Sequence, residues 1–169
     1  LVSERRALGE ARRLALAVFN ADMMDMTVNF VLSYGWAEGA RDVGPAGRAR
    51  TVLLVSMGGT EACGTVALRE AMGVVAERTG MGFECVDLPP GVCAASRPVG
   101  EGGVEYGKGN FVEVMALRVL VYASVTLAFR DRSPALEWIC TTDVDQVVLR
   151  SFFDYELPTT VNLSFMYGG

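Results

Sequence analysis

The stretch best equipped for chemistry is residues 138–153, WICTTDVDQVVLRSFF. An apolar run, Trp138-Ile139-Cys140, passes through two threonines into Asp143-Val144-Asp145, and a second apolar run, Val147-Val148-Leu149, follows at once. Two carboxylates spaced i, i+2 at the end of a buried strand suit a hard divalent cation such as Mg²⁺ or Mn²⁺. Such an ion takes oxygen ligands and typically uses one or two protein carboxylates together with substrate phosphates. The competing reading is a solvated turn after a strand, because an isolated Asp-x-Asp triplet carries little information without structural context. The elements upstream must supply that context.

Several chemistries are excluded by composition. The chain has no histidine, which removes Ser-His-Asp and Cys-His arrangements, a His-ligated zinc and a His general base. A net charge of −5 argues against a nucleic-acid surface. The four cysteines, Cys63, Cys85, Cys93 and Cys140, show no CxxC spacing. Cys63, Cys85 and Cys140 sit in apolar contexts that read as small buried thiols. At 169 residues, half of them hydrophobic, the length is that of a single domain, 1–169, with a proper core. The start at Leu1 and the end at Gly169, straight after an apolar run, read as those of a fragment truncated at its C-terminus.

Taken in order, residues 3–13 read as a surface helix or leader, and residues 14–19 (LALAVF) as a strand covered on both faces. The spacing of Met23, Met26, Val28, Phe30, Val31 and Tyr34 predicts a helix capped by Asp22 and closed by Gly35. Residues 37–50 are polar and Gly-rich and read as a surface loop. A second strand is expected at 51–57 (TVLLVSM). A helix at 60–79 follows, with Val66, Leu68, Met72, Val75 and Ala76 as its apolar side and Gly80 as its end. A third strand is expected at 82–88. Residues 91–109 read as a long loop. Residues 110–130 then read as a helix with Asn110 as its cap, its apolar stretch 112–129 buried rather than membrane-spanning, since Glu113 and Arg118 interrupt it. The acidic strand and a last strand at 160–166 complete the pattern.

Strands alternating with helices in this way predict an α/β fold with a mainly parallel sheet and helices on both faces. Ligands of such sheets lie at the carboxyl ends of the strands. Asn20, the Met57-Gly58-Gly59 turn and Asp143/Asp145 would then share one edge.

With these elements in place the chain resembles the nucleotide-diphospho-sugar transferase domain of GT-A glycosyltransferases, a Rossmann-like three-layer sandwich. Three stretches carry the likeness in the family's order: residues 17–33, residues 51–57 with 83–88, and residues 106–153, where a Gly/Asn/Phe helix entry and one basic residue precede the Asp-x-Asp strand. The resemblance implies that Asp143 and Asp145 hold Mn²⁺ or Mg²⁺, with Asp145 the more direct ligand. It implies that Asn20, Ala21, Arg118, Asp143 and Val144 bind the nucleotide-sugar, with Arg118 facing its diphosphate. It further implies transfer of the sugar to a glycan or glycoprotein acceptor, a Golgi or other secretory-pathway lumen, and a membrane anchor outside this segment. The chain departs from the family where Ser151-Phe152 replaces a frequent Asp-Pro, and no residue in it can be named as catalytic base.

Simpler readings stand beside these. Arg118 also suits a snorkelling side chain on a buried helix, and Asn20 a plain strand-end turn. Lys108 suits either a mobile surface position or a phosphate contact from a closing loop. Gly58-Gly59 before a helix suits phosphate binding by helix amides, although neither GxGxxG nor GxxxxGK[ST] is present. Met23, Met24 and Met26 read as core filler. The alternative for the whole chain is a non-catalytic or degenerate α/β nucleotide-binding module.

Overall fold

The computed structural model describes residues 12–39, 50–57, 61–89, 109–132 and 136–151. The apolar runs become four strands: β1 (Arg13–Phe19), β2 (Arg50–Ser56), β3 (Gly82–Asp87) and β4 (Trp138–Thr142). Helices α1 (Met24–Gly39), α2 (Val66–Thr79) and α3 (Gly109–Arg132) alternate with them, and short 3-10 turns at Ala21–Met23 and Ala62–Gly64 lead into α1 and α2. All three strand pairings are parallel and the order across the sheet is β3-β2-β1-β4. The result is a three-layer α/β sandwich with Rossmann-like strand order.

Continuous hydrophobicity in β1 and β2 follows from cover on both faces. Ala15, Ala17, Phe19, Val52 and Leu54 pack under α1 and α2, against Phe30, Tyr34, Leu68 and Val75. The alternate residues Leu14, Leu16, Val18, Leu53 and Val55 face α3 through Val121, with Leu117, Tyr122, Val125 and Phe129 partly buried beside it. Parallel crossovers keep one hand, so reversing the direction of travel across the sheet moves the connecting helix to the opposite face. The chain steps outward from β1 to β3 through α1 and α2, then returns through α3 to the other side of β1.

Two glycines have different work. Gly80 ends α2 in the left-handed region, φ 68°, and its amide donates to the Ala76 carbonyl at 2.8 Å, the closure expected from the sequence. Gly35 does not close α1. The helix runs on to Gly39, and a Cβ at Gly35 would collide with both methyl groups of Val75 on α2. Gly35 is therefore a point of close approach between the two helices. Val75 is buried and β-branched, so it has little rotamer freedom to yield. Gly35→Ala should cost about 1–3 kcal/mol through overpacking, despite alanine's better helix propensity. Urea unfolding of Gly35→Ala beside Gly35→Ala/Val75→Ala checks this, since the second change should recover part of the loss.

Other expectations are corrected by the same packing. Asn20 rather than Asp22 caps the entry to α1, because a 3-10 turn precedes the helix and moves its start toward the strand. Arg13 opens β1 instead of ending a surface helix. Asn110 lies inside α3 and so is not its cap. Val66 is exposed at the start of α2, while Ala71 takes a buried place beside Leu68 and Val75. Ala37 and Glu38 belong to α1 and are buried, not part of a loop. Glu38 pairs with Arg50 at the start of β2, and both side chains are almost wholly enclosed. The apolar stretch of α3 is buried on one side only. Val112, Val119, Leu120 and Leu127 are exposed, because one sheet face can cover only one side of a helix. Among the described residues no helix is long and apolar enough to cross a membrane. The Gly58-Gly59 turn, Lys108 and its glycine loop, Cys93 and the strand expected at 160–166 lie outside the described residues.

Candidate functional site

In an open parallel sheet the crevice for ligands forms where the strand order reverses direction. Here that point lies between β1 and β4, since the connections leave β1 for β2 on one side and return to β4 on the other. Ala17 is the β1 partner of Thr142, the last residue of β4. Asn20 and Asp145 each follow three residues beyond that last pair, so both leave the sheet at the same edge. The topology thus brings two of the sequence-derived stretches to one edge of the sheet, at the point where the strand order reverses.

The turn after β4 is held from both faces of the sheet. On the α3 side, Arg118 makes an ion pair through Nη2 with Asp143 Oδ1, the side chains being 20% and 37% exposed. Arg118 Nε donates to the Tyr122 hydroxyl at 2.8 Å, and that hydroxyl donates to the Thr142 carbonyl at 3.1 Å. The guanidinium carbon sits 5.5 Å from the Tyr122 ring centre, within reach of a cation–π attraction. On the α1 side, Val144 and Val148 are buried in the core, and the Val148 amide donates to Ser33 Oγ at 3.0 Å. The Thr142 hydroxyl lies 3.4 Å from Gln146 Oε1 across the turn. Asp145, between the two anchors, projects into solvent.

Arg118 and Asp143 are brought into direct contact. Asp145 is free of described partners and exposed. The Val144 side chain belongs to the core under α1. Asn20 caps the 3-10 turn, its Oδ1 accepting from the Met23 amide at 3.1 Å, while Ala21 is exposed beside it. Tyr122, Thr142 and Ser33 are supporting residues that reading the sequence missed. Tyr122 was accessible in principle, because it stands four residues after Arg118 on the same helical face.

Electrostatically the site offers one cation and two carboxylates. Among the described residues no group of three or more Cys, Asp or Glu side chains converges as a metal cage. Two carboxylates alone fit a hard divalent ion that arrives with phosphate oxygens to fill its remaining positions. Cys140 on β4 is a free thiol whose burial pushes its pKa up to about 11, so it stays protonated at neutral pH and is no nucleophile.

Cys63 and Cys85 are not thiols. They form a disulfide with a Cα–Cα distance of 5.5 Å, linking the turn after β2 to β3. The Cys63 amide also donates to Asp87 Oδ1 at 3.3 Å, so the bridge and the carboxylate fix the same turn. Comparison with protein-family models, curated proteins and solved structures finds no match for this chain.

Proposed function

We propose that this chain is the donor-binding domain of a metal-dependent glycosyltransferase that moves a sugar from a nucleotide-diphospho-sugar to a glycan or glycoprotein acceptor. The observation that carries this reading is the meeting of Arg118 with the Asp143–Asp145 turn at the strand-order reversal, opposite Asn20 and Ala21. Asp145 and Asp143 would hold Mn²⁺ or Mg²⁺, and the ion supplies charge neutralisation to the diphosphate as it leaves. Arg118 adds a second positive charge from a helix fixed against the sheet, so its position needs little reorganisation. Asn20 and Ala21 lie where the nucleotide would rest against the end of β1. The Cys63–Cys85 bridge favours an oxidising compartment, as a secretory-pathway lumen would be.

Calorimetric titration with Mn²⁺ and a UDP-sugar tests the reading. Asp145→Ala should weaken Mn²⁺-dependent binding ten- to a hundredfold, about 1.4–2.8 kcal/mol, because Asp143 remains as the other carboxylate. Equal binding by wild type and variant would sink the proposal.

A further inference from the structure

We propose that Arg118 and Asp143 form an exchange latch, so that a divalent cation and a diphosphate each bind this site better in the presence of the other. The inference rests on the reading of the site above, and adds how its two ligands depend on each other. The ion pair already satisfies both charges. A diphosphate arriving alone must take the guanidinium from Asp143 and leave a half-enclosed carboxylate beside the incoming anion. A cation arriving alone must take Asp143 and leave the guanidinium unpaired beside a like charge. When both arrive, Asp143 passes to the cation and Arg118 to a phosphate oxygen, and no charge is left without a partner.

The supporting contacts make this a swap of partners rather than a movement of the backbone. Nε of Arg118 is occupied by the Tyr122 hydroxyl, which is itself tied to the Thr142 carbonyl. The guanidinium therefore stays at the end of β4 when the Nη2 contact to Asp143 opens. The turn stays in place as well, through Val144 and Val148 in the core and the Val148 amide on Ser33. Asp145 carries the same charge in the same turn, is exposed and does not share the Arg118 contact. It separates the latch from a general effect of negative charge.

The test uses the whole chain, with inorganic pyrophosphate and Mn²⁺ as probes, each titrated alone and then together. The latch predicts that Asp143→Asn binds metal-free pyrophosphate about tenfold more tightly than wild type, within the usual range of coupling between two sites. Asp145→Asn should change that affinity far less. As the mirror arm, Arg118→Gln should bind Mn²⁺ alone more tightly than wild type, so the test does not depend on one variant folding. If wild type binds the two probes together but Asp143→Asn and Asp145→Asn have equal effects on metal-free pyrophosphate, the latch is overturned while the site reading survives. If wild type binds neither probe alone nor both together, the latch and the site reading fall together.

Discussion

Glu38→Ala is expected to destabilise the chain by about 3–5 kcal/mol, the range for removing one partner of a buried ion pair. Glu38 is 1% exposed and Arg50 8%, so the remaining guanidinium has little access to water. Glu38 also lies in the last turn of α1, where the helix dipole disfavours a carboxylate. Arg50 is what makes a buried acid tolerable there. Replacing both partners with apolar side chains, Glu38→Met with Arg50→Leu, should restore much of the loss. A drop in urea midpoint at unchanged slope for the single variant, and its recovery in the double, is the pattern expected. The pair stands at the amino end of β2, opposite the edge that carries Asp143. At about 3.3 Å per residue along a seven-residue strand, that is roughly 20 Å from the crevice. Ligand affinity of the folded variant should therefore be unchanged.

Reducing the Cys63–Cys85 bridge should cost roughly 3 kcal/mol on the chain-entropy account, given a sequence separation of 22. For a chain of this length that corresponds to a fall in Tm of roughly 10 °C. Thermal unfolding with and without dithiothreitol measures it, and Cys63→Ala/Cys85→Ala should match the reduced wild type. A reductant that leaves Tm unmoved would show that the bridge adds no constraint. The loss should spread to the start of α1, because Thr65, two residues after Cys63, has its hydroxyl 3.4 Å from the Met24 sulfur.

The strands were readable because a parallel sheet covered on both faces demands unbroken apolar runs. LALAVF and TVLLVS supply them without competing helical spacing. The direction of the sheet was readable from the alternation of elements, and with it the edge that bears Asn20 and Asp143. Gly35 was misread because a helix-ending glycine and a glycine at a close helix crossing look alike in sequence. Only Val75, forty residues away, tells them apart. Glu38 and Arg50 fell in a segment whose glycines and charges read as solvent-facing, and composition cannot show that two charges bury each other. Cys63 and Cys85 carry no local spacing signal, since their contact is made by the neighbouring strands. At the site, the resemblance brought Arg118 and the acidic turn together but aimed the arginine at a ligand. In the fold its immediate partner is Asp143, with Tyr122 holding it there.

The most direct test of the ligand crevice is hydrogen exchange on the wild-type chain, with and without Mn²⁺ and a UDP-sugar together. Protection is expected to concentrate at residues 19–24, after β1, and 140–146, around the acidic turn. Protection confined to residues 56–65, which follow β2 in sequence, would place the ligand elsewhere and contradict a site at Asn20 and Asp143–Asp145.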